Sequence, residues 1–159
     1  MGPRQTVPVA PSAKALVVAF AAGFLAVLIV HQPVLAMLDA SGFAKAATYS
    51  MDATRPFGVP RVLSLAFWGG IWGVLLLYVQ RSFPGGAAYW IAACAFGAIF
   101  PTLVAWTLVP ALKGHAVGAG FNAHRLITGL LINGAWGWGT ALFLHIGMRT
   151  LRSPPRSSA

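Results

Sequence analysis

Long stretches without a formal charge alternate along this chain with short polar connections. Residues 15–38, 62–80, 82–112 and 126–148 contain no Asp, Glu, Lys or Arg. A helix rises ~1.5 Å per residue and needs about 20 apolar residues to cross ~30 Å of hydrocarbon, and each stretch is long enough or nearly so. Phe83-Pro84-Gly85-Gly86 breaks the third stretch near its start, because Pro and Gly punctuate helices. The pattern predicts four helices, near 15–38, 61–80, 87–112 and 124–149. No ten-residue alternation of apolar and polar positions suggests a barrel. The expected fold class is therefore all-α, a polytopic four-transmembrane-helix bundle. The run after Lys14 also resembles a secretory signal, but its apolar region exceeds the usual ~7–15 residues, so it is read as a retained span.

Small residues recur at four-residue spacing within the spans. Ala15, Ala19 and Gly23 lie along the first, Gly69 and Gly73 on the second, Gly97 on the third, and Gly129 and Gly137 on the fourth. In lipid, burying Leu against Leu gains little, and small residues mark where backbones approach. Gly23, Gly69, Gly73, Gly97, Gly129 and Gly137 are thus the expected packing positions. Gly69-Gly70-Ile71-Trp72-Gly73 also parallels Asn133-Gly134-Ala135-Trp136-Gly137. A duplicated helical hairpin, a parallel 2+2 repeat, accounts for the match. Chance recurrence of Gly and Trp accounts for it more simply. Trp68, Trp72, Trp136 and Trp138 are expected deep in the bundle, where each indole N–H needs an acceptor.

Composition narrows the class further. Of 159 residues, 58% are hydrophobic and 8% charged, against about a quarter charged in ordinary soluble domains. The net charge of +9 does not indicate a nucleic-acid binder. It reflects scarcity of acids, Asp39 and Asp52 alone, and not a dense basic face. Four spans put both termini on one side. That side holds Arg4, Lys14, Arg81, Arg149, Arg152 and Arg156, six cations against five on the other. The positive-inside rule then makes residues 1–14 and the basic tail 150–159 cytoplasmic. The composition resembles that of short Gly- and Trp-rich bacterial inner-membrane proteins of four spans, which implies a multi-pass inner-membrane location.

Candidate chemistry is sparse. No phosphate-binding loop, nucleophile elbow, zinc-protease helix or dinucleotide fingerprint occurs, and no enzymatic activity is expected. Cys94 stands alone, which removes disulfides and multi-thiolate sites within one chain. His31 continues the Ala15–Ala19–Gly23 seam, so it faces protein. Pro33 two residues later leaves the Ile29 carbonyl without its usual donor and should bend the helix. A polar residue inside a membrane bundle is a functional candidate. The preferred alternative is interhelical glue, with a carbonyl or Asn133 as partner. His115 and His124 are weak metal candidates across a Gly-rich loop. Haem is a minor alternative, because the histidines do not form axial pairs at matching depths.

Two functional expectations follow. The leading one is a non-catalytic accessory or stabilising subunit, with other membrane subunits or further copies of itself as partners. The alternative is a binder or carrier of a small amphipathic molecule, a lipid, quinone or isoprenoid. Its site would be lined by His31, Trp72, Asn133 and Trp136, with Arg61 and Arg125 at the helix entrances to meet an anionic headgroup. No cofactor is expected beyond such a bound lipid or quinone.

Overall fold

The computed structural model describes residues 10–114 and 117–152. Four helices among them are long and apolar enough to cross a membrane: α1 (Ala13–Ala40), α2 (Arg61–Ser82), α3 (Ala87–Leu112) and α4 (Ala123–Leu151). Local chemistry sets their ends. Ser12 caps α1, its hydroxyl accepting from the Ala15 amide at 3.3 Å. Gly86, at φ 65°, provides a left-handed turn before α3 that a side chain would oppose. Asn122 caps α4, its side-chain oxygen accepting from the Arg125 amide at 3.1 Å. The last turn of α2 is a 3-10 turn over Gln80–Ser82.

Two of the helices are interrupted. In α1, Val27–His31 form a π turn, and the Gln32 amide bonds back to the Val27 carbonyl. Pro33 follows at once. In α3, Pro101 is accommodated inside the helix, and a step at Thr107 separates Ala87–Trp106 from Leu108–Leu112. The connection from α1 to α2 contains a small antiparallel pair, β1 (Ala53–Thr54) and β2 (Val59–Pro60).

Helix order in space differs from order in sequence. α1 packs along both α2 and α4, and α3 packs along α4, so α1 and α4 form the centre and α2 and α3 flank them. Glycine makes the closest approaches. A Cβ on Gly73 would stand 2.5 Å from the Ala19 carbonyl oxygen and 3.0 Å from the Gly23 Cα. A Cβ on Gly137 would strike the Ala93 carbonyl and come within 2.9 Å of the Gly97 Cα. Each hairpin, α1–α2 and α3–α4, therefore closes backbone on backbone, as packing without a hydrophobic drive requires. Gly129 is different, because it faces the indole of Trp106.

The interior is built from Ala26, Val27, Ala66, Leu76, Ala93, Phe96, Trp136 and Ala141, with a second group of Ala15, Ala19, Ala22, Leu77 and Leu144. Large apolar side chains such as Val17, Ile29, Ile71, Ile91 and Phe100 face outward. Small residues at the closest helix contacts, with many large apolar side chains turned outward, suit a hydrocarbon surrounding.

Candidate functional site

At the bend of α1, a cluster of polar groups forms around Pro33. Continuing the π register set by Gln32 and Val27, residue 33 would donate to the Leu28 carbonyl, and proline has no N–H to give. The orphaned acceptor is therefore Leu28, not the Ile29 expected from regular α geometry. It is satisfied from the connecting loop, where the Tyr49 hydroxyl donates to it at 2.7 Å. The Tyr49 amide donates to the Gln32 side-chain oxygen, also at 2.7 Å. Tyr49 adopts φ 48°, a left-handed conformation that costs a non-glycine residue roughly 1–2 kcal/mol. The two bonds hold it there.

His31 is buried on the predicted seam, below Ala15, Ala19, Gly23 and Val27. Its partner is not Asn133. The His31 Nδ1 lies 3.4 Å from the side-chain Nε2 of Gln32, a residue itself 2% exposed. Asn133 donates instead to the Thr102 hydroxyl of α3 at 2.8 Å, and that hydroxyl donates to the Gly129 carbonyl at 3.3 Å. Asn133 therefore ties α4 to α3, whereas His31 belongs to the bend of α1.

The tryptophans divide sharply. Trp136 is buried, and its indole N–H donates to the Gly23 carbonyl of α1 at 2.9 Å. Trp72 is half-buried and meets Phe96 of α3 edge-on, with ring centroids 6.2 Å apart. Trp68 and Trp138, expected inside, face outward at 58% and 44% exposure. Trp72 and Trp136 also stand beside glycines, so the division is set by the partner helix and not by the flanking residues.

Arg61 and Arg125 are both exposed, at the starts of α2 and α4. His124 is exposed and packs against Phe43, with ring centroids 5.0 Å apart. His115 lies outside the described residues. Among the described residues no group of three or more His, Cys, Asp or Glu side chains is placed to hold a metal ion.

A second polar cluster lies at the opposite end of the bundle. A cavity of about 520 Å³ opens between the end of α2, the start of α3 and the end of α4. Leu77, Gln80 and Arg81, then Tyr89, then Leu144, His145, Met148 and Arg149 line it. The Tyr89 hydroxyl donates to the Gln80 side-chain oxygen at 2.6 Å. Sequence reading missed Gln32, Tyr49 and Thr102, used Arg81 and Arg149 only in the cation count that sets orientation, and gave His145 no role. Arg81 and Arg149 are 68 positions apart, and only the folded hairpins bring them together. Comparison with family models, curated proteins and solved structures returns no match to this chain.

Proposed function

We propose that the protein is an integral inner-membrane protein that acts as a non-catalytic accessory subunit of a larger membrane assembly. The observation that carries this reading is Trp68. It sits seven residues into α2, ~10 Å along the helix, and turns its indole away from its own bundle. A buried indole N–H needs an acceptor, and one held at hydrocarbon depth is costly unless a partner supplies it. Phe67 and Ile71 extend the same outward surface. The interior, by contrast, has spent its polar groups. Among the described residues no buried side-chain nitrogen or oxygen lacks a hydrogen-bond partner.

The bundle is also proposed to be a duplicated hairpin. Gly73 meets the Ala19 carbonyl and the Cα and N of Gly23, while Gly137 meets the Ala93 carbonyl and the Cα and N of Gly97. Trp72 of α2 reaches across to α3, and Trp136 of α4 reaches across to α1. Such exchange is what a two-fold axis along the membrane normal would produce, as in parallel repeats. The extensive α1–α4 contact has no counterpart between α2 and α3, so the symmetry is broken in the assembled bundle. Cytoplasmic termini in a bacterial inner membrane are part of this reading, supported by the six-to-five cation balance.

The test is photo-crosslinking in native membranes from a probe at position 68, with position 17 on the outward face of α1 as the comparison. The reading expects one discrete crosslinked polypeptide from 68 and none from 17. The same lipid-only background from both positions would contradict it. The second reading, a binder of a small amphipathic molecule, is favoured by the cavity that Arg81 and Arg149 line.

A further inference from the structure

We propose that the cavity between α2, α3 and α4 is a binding site for the phosphate of an anionic lipid headgroup, held by Arg81 and Arg149. This deepens the second reading above, and it depends on the chain lying in a membrane but not on a protein partner. The lining divides by chemistry. Leu77 and Leu144 are buried and Met148 is half-buried, which gives the cavity an apolar floor. Arg81, His145 and Arg149 are exposed, and Gln80 and Tyr89 stand beside them at the rim. The size falls within the ~300–1,000 Å³ usual for small-molecule sites.

The polar rim is rich in donors. Guanidinium groups only donate, and their planar fork matches phosphate oxygens. Because the Gln80 side-chain oxygen accepts from Tyr89, its NH₂ group remains a donor. His145 is oriented by the ring of Trp90, with centroids 6.2 Å apart. The only acidic side chains of the chain, Asp39 and Asp52, lie at the other end of the bundle. The formal side-chain charge of the lining is therefore positive, supplied by Arg81 and Arg149. Each guanidinium has five N–H donors, so contacts with other parts of the protein are compatible with holding an anion.

Depth argues for a lipid as the source of the phosphate. The site lies where α2 and α4 end and α3 begins, the level at which headgroups sit, and Tyr89 and Trp90 mark that level in the manner of an aromatic belt. Free phosphate needs the cations alone. It makes no use of Leu77, Leu144 and Met148 beneath them. Basic pockets between helices at a membrane face hold phospholipid headgroups by this combination.

The experiment is native mass spectrometry of the full chain released from bilayers containing equal amounts of phosphatidylglycerol and phosphatidylcholine. Wild type should retain phosphatidylglycerol about tenfold over phosphatidylcholine. Arg81→Gln and Arg149→Gln should each remove most of that preference, while Lys45→Gln, a charge loss in the far loop, leaves it unchanged. Arg81→Lys, which keeps the charge and loses the fork, should fall between. Equal retention of the two lipids by wild type overturns the proposal and requires no variant to fold. A loss with Lys45→Gln equal to that with Arg149→Gln also overturns it, since the effect is then net charge. Millimolar inorganic phosphate that displaces phosphatidylglycerol completely makes the site one for free phosphate and overturns the lipid assignment. Retention in the membrane pellet after alkaline washing reports membrane placement separately, so failure there is distinguishable from failure of the site.

Discussion

Gly23 has no space for a side chain, because a Cβ there would collide with the Gly69 carbonyl and press on the Gly73 Cα, both of them backbone. Backbone cannot yield as a flexible side chain does. Replacing Gly23 by Leu should destabilise the α1–α2 hairpin by at least the ~1–3 kcal/mol of ordinary overpacking, and Gly97→Leu should do the same to α3–α4. Gly85, with nothing within 4 Å of a built Cβ, should accept Ala without loss. Thermal unfolding in a mild detergent, followed by tryptophan fluorescence, measures all three. At His31, Asn should keep a short polar group beside Gln32 and cost little. Leu removes it, with an expected loss within the ~0.6–1.7 kcal/mol of hydrogen bonds in membrane bundles. The four-residue spacing that placed His31 on the buried seam was readable in the residue pattern. Its neighbour Gln32 was not, because its partner Tyr49 lies 17 residues away in a loop whose φ of 48° no periodicity encodes.

Among the elements, α1 shows how one proline is absorbed. Its missing N–H, the π turn before it and the Tyr49 hydroxyl form one arrangement, in which the loop repairs what the helix lacks. The three should therefore be coupled. Tyr49→Phe should destabilise the wild type by about 0.5–1.5 kcal/mol, the usual worth of one hydrogen bond. In a Pro33→Ala background the restored N–H can serve the Leu28 carbonyl, so the same substitution should cost much less. A double-mutant cycle on thermal stability reads this coupling directly. Additive losses would mean that Tyr49 and Pro33 act on different groups. A bend near Pro33 follows from sequence, since proline removes a donor wherever it falls. The π register does not, because it depends on packing against α4 and on the loop that closes over it.

For the molecule as a whole, the helices themselves were legible, because uncharged length is a direct requirement of hydrocarbon thickness. Their neighbours were not. Every helix offered a small-residue seam, and only the fold shows that Gly23 meets Gly69 and Gly73 while Gly97 meets Gly137. The outward turn of Trp68 and Trp138 was missed for the same reason. A Trp beside a glycine seam is placed by the partner helix, and the partner was unknown. The cavity at Arg81 and Arg149 depended on the same missing information, since its walls come from three helices.

Topology is tested on this scale as well. In a Cys94→Ala background, Met51→Cys and Val117→Cys should react with an impermeant thiol reagent added outside intact cells, and Gln5→Cys should not. Labelling of Gln5→Cys alone would invert the orientation. The accessory-subunit reading is tested most directly by gentle extraction of the tagged full chain from its native membrane, followed by native mass determination and identification of what travels with it. A stoichiometric second polypeptide, released when Trp68 is replaced by Ala, is the expected result. Recovery only as a free monomer, with no polypeptide in constant ratio, would contradict it.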